Sequence, residues 1–115
     1  MRTLQLDRVN LGSHPDEICY FEQAKKFHEC QFEMTNDSFK VFKYGNLIFE
    51  TELSLYESDH LTKTHRGTWD DGKRFRICQP SDELMSLFKI TNKEYITIGS
   101  MFSDGYAVTF QLDNE

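Results

Sequence analysis

The chain has 115 residues and a mass of 13.6 kDa, room for one domain and none for a second catalytic unit. Hydrophobic residues make up 38% and aromatic residues 14%, ten of them phenylalanine, so a packed core is expected and whole-chain disorder is excluded. Nineteen acids against thirteen bases give a net charge of -6, which argues against a nucleic-acid binder that works through a positive field over its whole surface.

Taken in chain order, Thr3 to Val9 reads as a first strand with Leu4 and Leu6 on one face, although Val9 breaks the alternation. Ser13 is placed to cap a helix over about Pro15 to His28, in which Tyr20, Ala24 and Phe27 share a stripe widened by Ile18 and Phe21. Cys30, Phe32 and Met34 alternate with polar residues and lead into the turn formers Asn36-Asp37-Ser38. Phe39 to Tyr44 follows as a strand, and Gly45-Asn46 reads as a two-residue hairpin loop. In the next strand Leu47, Phe49, Thr51, Leu53 and Leu55 share one face, with Glu50, Glu52 and Ser54 on the other.

Leu61 to Trp69 and Lys73 to Cys78 flank Asp70-Asp71-Gly72, whose Asp71-Gly72 pair predicts a tight hairpin. Ser81 then caps a short helix that starts with Asp82 and Glu83 beside the positive end of the helix dipole. Leu84, Leu87 and Phe88 form its apolar stripe, and Asn92 lies in the turn that ends it. Tyr95 to Phe102 and Tyr106 to Leu112 flank Ser103-Asp104-Gly105 as a third hairpin, with Tyr106, Val108, Phe110 and Leu112 on one face. The order predicts a single α+β domain over residues 1–115: a curved antiparallel sheet of about seven or eight strands with two short helices.

The first residues lack a signal-peptide core, and no stretch approaches the roughly 18 apolar residues of a membrane span, so a cytoplasmic protein without membrane contact is expected. Cys19, Cys30 and Cys78 are odd in number and widely spaced, which fits a reducing compartment better than a disulfide framework or a zinc cage. Alanine occurs only at Ala24 and Ala107, a bias that points to an A/T-rich bacterial or phage coding sequence.

Charge is segregated. Lys63, Arg66, Lys73, Arg74 and Arg76 lie between residues 61 and 78 against Asp70 and Asp71 alone, so this hairpin is +3 and the remainder -9. With Asp71-Gly72 as the loop, Trp69 pairs with Arg74, Gly67 with Arg76 and His65 with Cys78, leaving Arg66 on the opposite face. That register puts an indole, two guanidiniums and an imidazole together, a composition met in protein interfaces and in single-stranded nucleic-acid sites, and equally in a cation-π pair that only stiffens the hairpin. The acids Glu50, Glu52, Glu57 and Asp59, with Asp16, Glu17 and Glu22 on the helix, offer a second surface, complementary to a basic partner.

His60 and His65, with Asp59 or Asp70, are the available metal donors, but five residues apart on a strand they point to opposite faces, so no metal is expected. His65 with Cys78 and His28 with Cys30 are the conceivable nucleophile dyads. Phosphate-binding glycine loops and the serine nucleophile elbow are missing, and no cofactor is expected.

The sequence therefore favours a small acidic, non-enzymatic protein that binds another protein, as an inhibitor, immunity protein, antitoxin or phage counter-defence factor. Its expected partner is a basic nuclease or other nucleic-acid-binding protein, and its expected contacts are His65, Arg66, Trp69, Arg74, Arg76, Glu50 and Glu52. The alternatives are a single-stranded nucleic-acid module built on the Trp69 hairpin and a small hydrolase or nuclease using His65 with Cys78 or a carboxylate.

Overall fold

The computed structural model describes residues 2–12, 18–87, 94–101 and 105–113, with the side chains of residues 18 and 19 left out. Nine antiparallel strands form one sheet with two short helices: β1 (Arg2–Asn10), α1 (Ile18–Lys25), β2 (Gln31–Met34), β3 (Ser38–Lys43), β4 (Asn46–Glu52), β5 (Ser54–Ser58), β6 (Thr62–Thr68), β7 (Arg74–Pro80), α2 (Asp82–Leu87), β8 (Tyr95–Ser100) and β9 (Ala107–Asp113). The strand count is nine rather than seven or eight because the segment read as one strand over 47–55 breaks at Leu53 and resumes as β5 on a different neighbour.

The order across the sheet is β4-β3-β2-β1-β9-β8-β7-β6-β5. Its two ends, β4 and β5, are joined by Leu53 alone, so the chain leaves β3 and joins β6 within one residue. The sheet must curl for this to happen, and the seam is tied by side chains. The Thr68 amide donates to Thr51 Oγ1 at 3.0 Å, and Lys63 Nζ donates to Asn36 Oδ1 at 3.0 Å. The result is a nearly closed barrel.

Alternation fills its interior. Leu4, Phe39, Val41, Phe75, Ile77, Ile98, Val108 and Phe110 are all fully buried, and Leu112 and Tyr106 complete the face expected for the last strand. The break in alternation at Val9 has a cause: a β-bulge lies between Leu6 and Arg8 where β1 pairs with β9. α1 and the turn after it cover part of the core through Ala24 and Phe27, the latter packed on Phe39, Phe49 and Trp69. The helix is shorter than its apolar stripe, since Phe27 and His28 donate to carbonyls three residues back and Glu29 takes a positive φ of 65°, which ends the helical path.

Ser81 caps α2 as expected, its Oγ accepting from the Leu84 amide at 3.0 Å. The expected burial of that helix is not found: none of its residues is buried, and Leu87 is exposed. The cap at Ser13, the first turn from Pro15 to Glu17, and Phe88, Asn92, Phe102, Ser103 and Asp104 lie outside the described residues.

Candidate functional site

The β6–β7 hairpin is one residue out of the expected register. Thr68 pairs with Arg74, Gly67 with Phe75, Arg66 with Arg76, His65 with Ile77 and Thr64 with Cys78. The turn is longer than Asp71-Gly72: the Gly72 amide donates to Trp69 O, the Trp69 amide donates to Lys73 O, and only Gly72 has a positive φ, at 88°. This is a three-residue loop, with glycine in the left-handed position where a side chain would be strained. A shift of one residue exchanges the two faces of a strand.

The exchange separates the expected contact residues. Trp69 is buried, its ring centroid 4.3 Å from that of Phe75 and 5.2 Å from that of Phe49, and its Nε1 donates to Tyr106 Oη at 3.1 Å. His65 is also buried, on the inner face opposite Ile77. Gly67 leaves room for the core, because a Cβ there would stand 2.8 Å from the Phe75 ring. Trp69 and His65 are thus core residues in the folded chain, whereas Arg66, Arg74 and Arg76 stand on the outer face. The expected cation-π pairing of Trp69 with Arg74 and the stacking of a base on Trp69 are both corrected by this burial.

The candidate dyads also come apart. Cys78 lies on the outer face beside Thr64, across the strand from the side that carries His65. Cys30 is buried, its Sγ 3.4 Å from Lys26 O, and burial pushes its thiol pKa up, so it is held in the unreactive form. His28 Nδ1 accepts from the Leu6 amide at 2.9 Å, a structural task. Among the described residues no group of three or more His, Cys, Asp or Glu side chains comes together as a metal site.

Glu50 and Glu52 are exposed on β4 as expected. Glu50 lies opposite Lys40 in the ladder, with Nζ and Oε2 at 3.4 Å, which leaves Glu52 as the freer carboxylate of the two. Asp59 closes the turn between β5 and β6: its Oδ1 accepts from the Leu61 and Thr62 amides, both at 2.7 Å. Those two bonds hold its carboxyl below the usual range, those of Thr62 and Leu61 in that order.

What composition did not reveal is an apolar rim. Of the ten exposed large hydrophobic residues described, six fall between residues 44 and 61: Tyr44, Leu47, Ile48, Leu55, Tyr56 and Leu61. They follow the two terminal strands of the sheet, and β5 is exposed along its whole length. Leu47 and Leu55 continue the apolar alternation of Phe49, Thr51 and Leu53 in sequence. A β-bulge between Val41 and Phe42, however, sets Leu47 opposite Phe42 instead of a core residue, and Leu55 stands exposed on the terminal strand β5 opposite His65. Tyr44 is the most exposed, at 93%, and adopts φ 51° in the hairpin loop Tyr44-Gly45, one residue earlier than the expected Gly45-Asn46. A shallow cleft of about 230 Å³ adjoins the rim, with Phe27, Phe49 and Trp69 as its floor and Lys26, Ile48 and Asp70 at its edge.

No known protein family, curated protein or solved structure matches the chain.

Proposed function

We propose that this chain is a small acidic, non-enzymatic binding protein that acts by contact with another protein, in the manner of an inhibitor, immunity protein, antitoxin or phage counter-defence factor. The observation that carries the reading is the rim from Tyr44 to Leu61, where six large apolar side chains are exposed along the two terminal strands of the sheet. Scattered apolar residues are normal on a protein surface, but exposed apolar side chains on an unpaired strand edge are a template for another chain. Strand edges bind partners through main-chain hydrogen bonds, with alternate side chains supplying specificity.

The acids on the same run set the chemistry of the partner. Glu50, Glu52, Glu57 and Asp59 are interleaved with the apolar residues, so a partner with basic and apolar groups in alternation fits the rim. A nuclease or another nucleic-acid-binding protein presents such a basic surface, and opposite charge would speed the encounter.

The test is affinity capture from the native host with mass spectrometry, comparing wild type with a Leu55→Asp, Tyr56→Asp double variant. These residues are exposed, so the fold should hold, and blue-shifted emission from the buried Trp69 reports that it does. The expected result is one protein enriched by wild type and reduced at least about ten-fold by the variant, the loss of a central contact pair. Equal capture by both proteins, or capture of none, would count against the reading.

A further inference from the structure

The wall formed by β6, β7, β8 and β9 holds Lys63, Arg66, Arg74 and Arg76 against a single acid, Asp113. Lys63 is turned toward Asn36 at the seam, so the outward charge of this wall is that of the three arginines. The pairing registers align its outer face in two rows. One runs Ser54, Arg66, Arg76, Gly99, Ala107, Asn10, and the next runs Glu57, Thr64, Cys78, Thr97, Thr109, Arg8.

Arg66 and Arg76 are therefore directly opposite each other. Like charges in that position destabilise a ladder, and among the described residues neither arginine has an ion-pair partner. Arg74 lies two residues along β7 on the same face, about 7 Å away by strand rise. From this cluster toward β1 the face carries the small, half-buried side chains Thr97, Ala107 and Thr109, with Gly99 buried between them and Arg76, and a hollow of about 410 Å³ opens beside Arg8 and Asn10. Tyr95 stands on the same face, two residues from Thr97 and 41% exposed.

We propose that this outer face binds an extended single strand of nucleic acid, with phosphates on Arg66, Arg74 and Arg76 and a base stacked on Tyr95. Guanidinium groups bind phosphate in bidentate fashion, and the small-residue floor lets a flat ligand approach the sheet. An exposed aromatic ring supplies a stacking platform for any base. Acids border this face, since Glu57 stands in its second row and Glu52 is next to Thr51, which meets Thr68 across the seam. The attraction is therefore carried by the local cluster of three arginines and not by the net charge of the chain. The face meets the apolar rim at β5, but its arginines and Tyr95 are separate from Leu55 and Tyr56, so variants at each set test the two readings separately.

The test is fluorescence anisotropy of a labelled oligothymidylate at rising salt. Three phosphate contacts predict a log-log salt slope of about -2. Arg66→Ala with Arg76→Ala should bring the slope to about -0.7, and Arg74→Ala alone should reduce it by about 0.7. Tyr95→Ala should weaken binding by about five-fold or more with the slope unchanged. Lys40→Ala, on the opposite wall, should change neither. Absence of binding at low salt, or an unchanged slope in the arginine variants, overturns the proposal. Displacement of the oligonucleotide by poly-glutamate at matched charge concentration overturns it as well, because the face would then accept any polyanion.

Discussion

At the scale of single residues, Tyr44 and Trp69 define the two sides of the molecule. Trp69 is enclosed by Phe27, Phe49 and Phe75, and its one polar atom is satisfied by Tyr106, so its large apolar area works for the core. Tyr44 is the reverse case, an aromatic ring in solvent on a backbone that favours glycine or asparagine. Holding a side chain in the left-handed region costs about 1–2 kcal/mol, and Lys43 Nζ, 5.8 Å from the ring centroid, offsets only part of it. Tyr44→Asn should therefore stabilise the chain by about 0.5–1 kcal/mol, read as a higher urea midpoint with an unchanged slope. A lower midpoint would mean that the ring makes a stabilising contact within the chain. If Tyr44 serves the rim, the same variant should bind the partner less well while being more stable.

At the scale of elements, much of the fold was legible. The alternation from Tyr106 to Leu112, the Ser81 cap and the antiparallel pairing of successive strands follow from local rules that tertiary packing did not override, although two of the loops differ from the expected ones. The register of the β6–β7 hairpin was not legible, because Asp-Gly serves two-residue and three-residue loops alike, and one residue decides which face is buried. A warning was nevertheless present. The expected register placed Arg66 on the same face as Phe75 and Ile77, which would bury a guanidinium without a partner, whereas the observed one faces Phe75 with Gly67. The break at Leu53 was hidden for a different reason: Leu55 keeps the apolar alternation after the chain has changed neighbours.

The turn before β6 allows a pH test at the same scale. The two backbone hydrogen bonds that Asp59 Oδ1 accepts are stronger to the ionised carboxylate, so its folded pKa lies below the ordinary value. A depressed carboxyl pKa contributes stability that is present above the unfolded pKa and is lost as pH falls through the folded one. The Leu61 and Thr62 amides should therefore exchange faster once the pH drops below about 4, the ordinary aspartate range. Asp59→Asn should exchange at a rate independent of pH across that window once the intrinsic rate is corrected for. Equal pH dependence in the two proteins would remove Asp59 as the cause.

At the scale of the whole molecule, the net charge of -6 divides by wall. Acids accompany the apolar rim around β4 and β5, and arginines occupy the outer face of β6 and β7. The expected contact set is divided in the same way: Glu50 and Glu52 belong to the acidic side, Arg66, Arg74 and Arg76 to the basic wall, and His65 and Trp69 to the core. No helix among the described residues is long and apolar enough to cross a membrane. The curled sheet leaves one strand, β5, exposed on both faces and paired on one edge only, and the protein-binding account depends on that strand.

Hydrogen-deuterium exchange of the chain with and without its captured partner therefore tests the account most directly. Amides of Ser54 to Ser58 that point away from β6 should exchange fast in the free chain and become protected in the complex, as a paired strand edge would be. Protection confined to β6–β9, with β5 exchanging as fast as in the free chain, would contradict it.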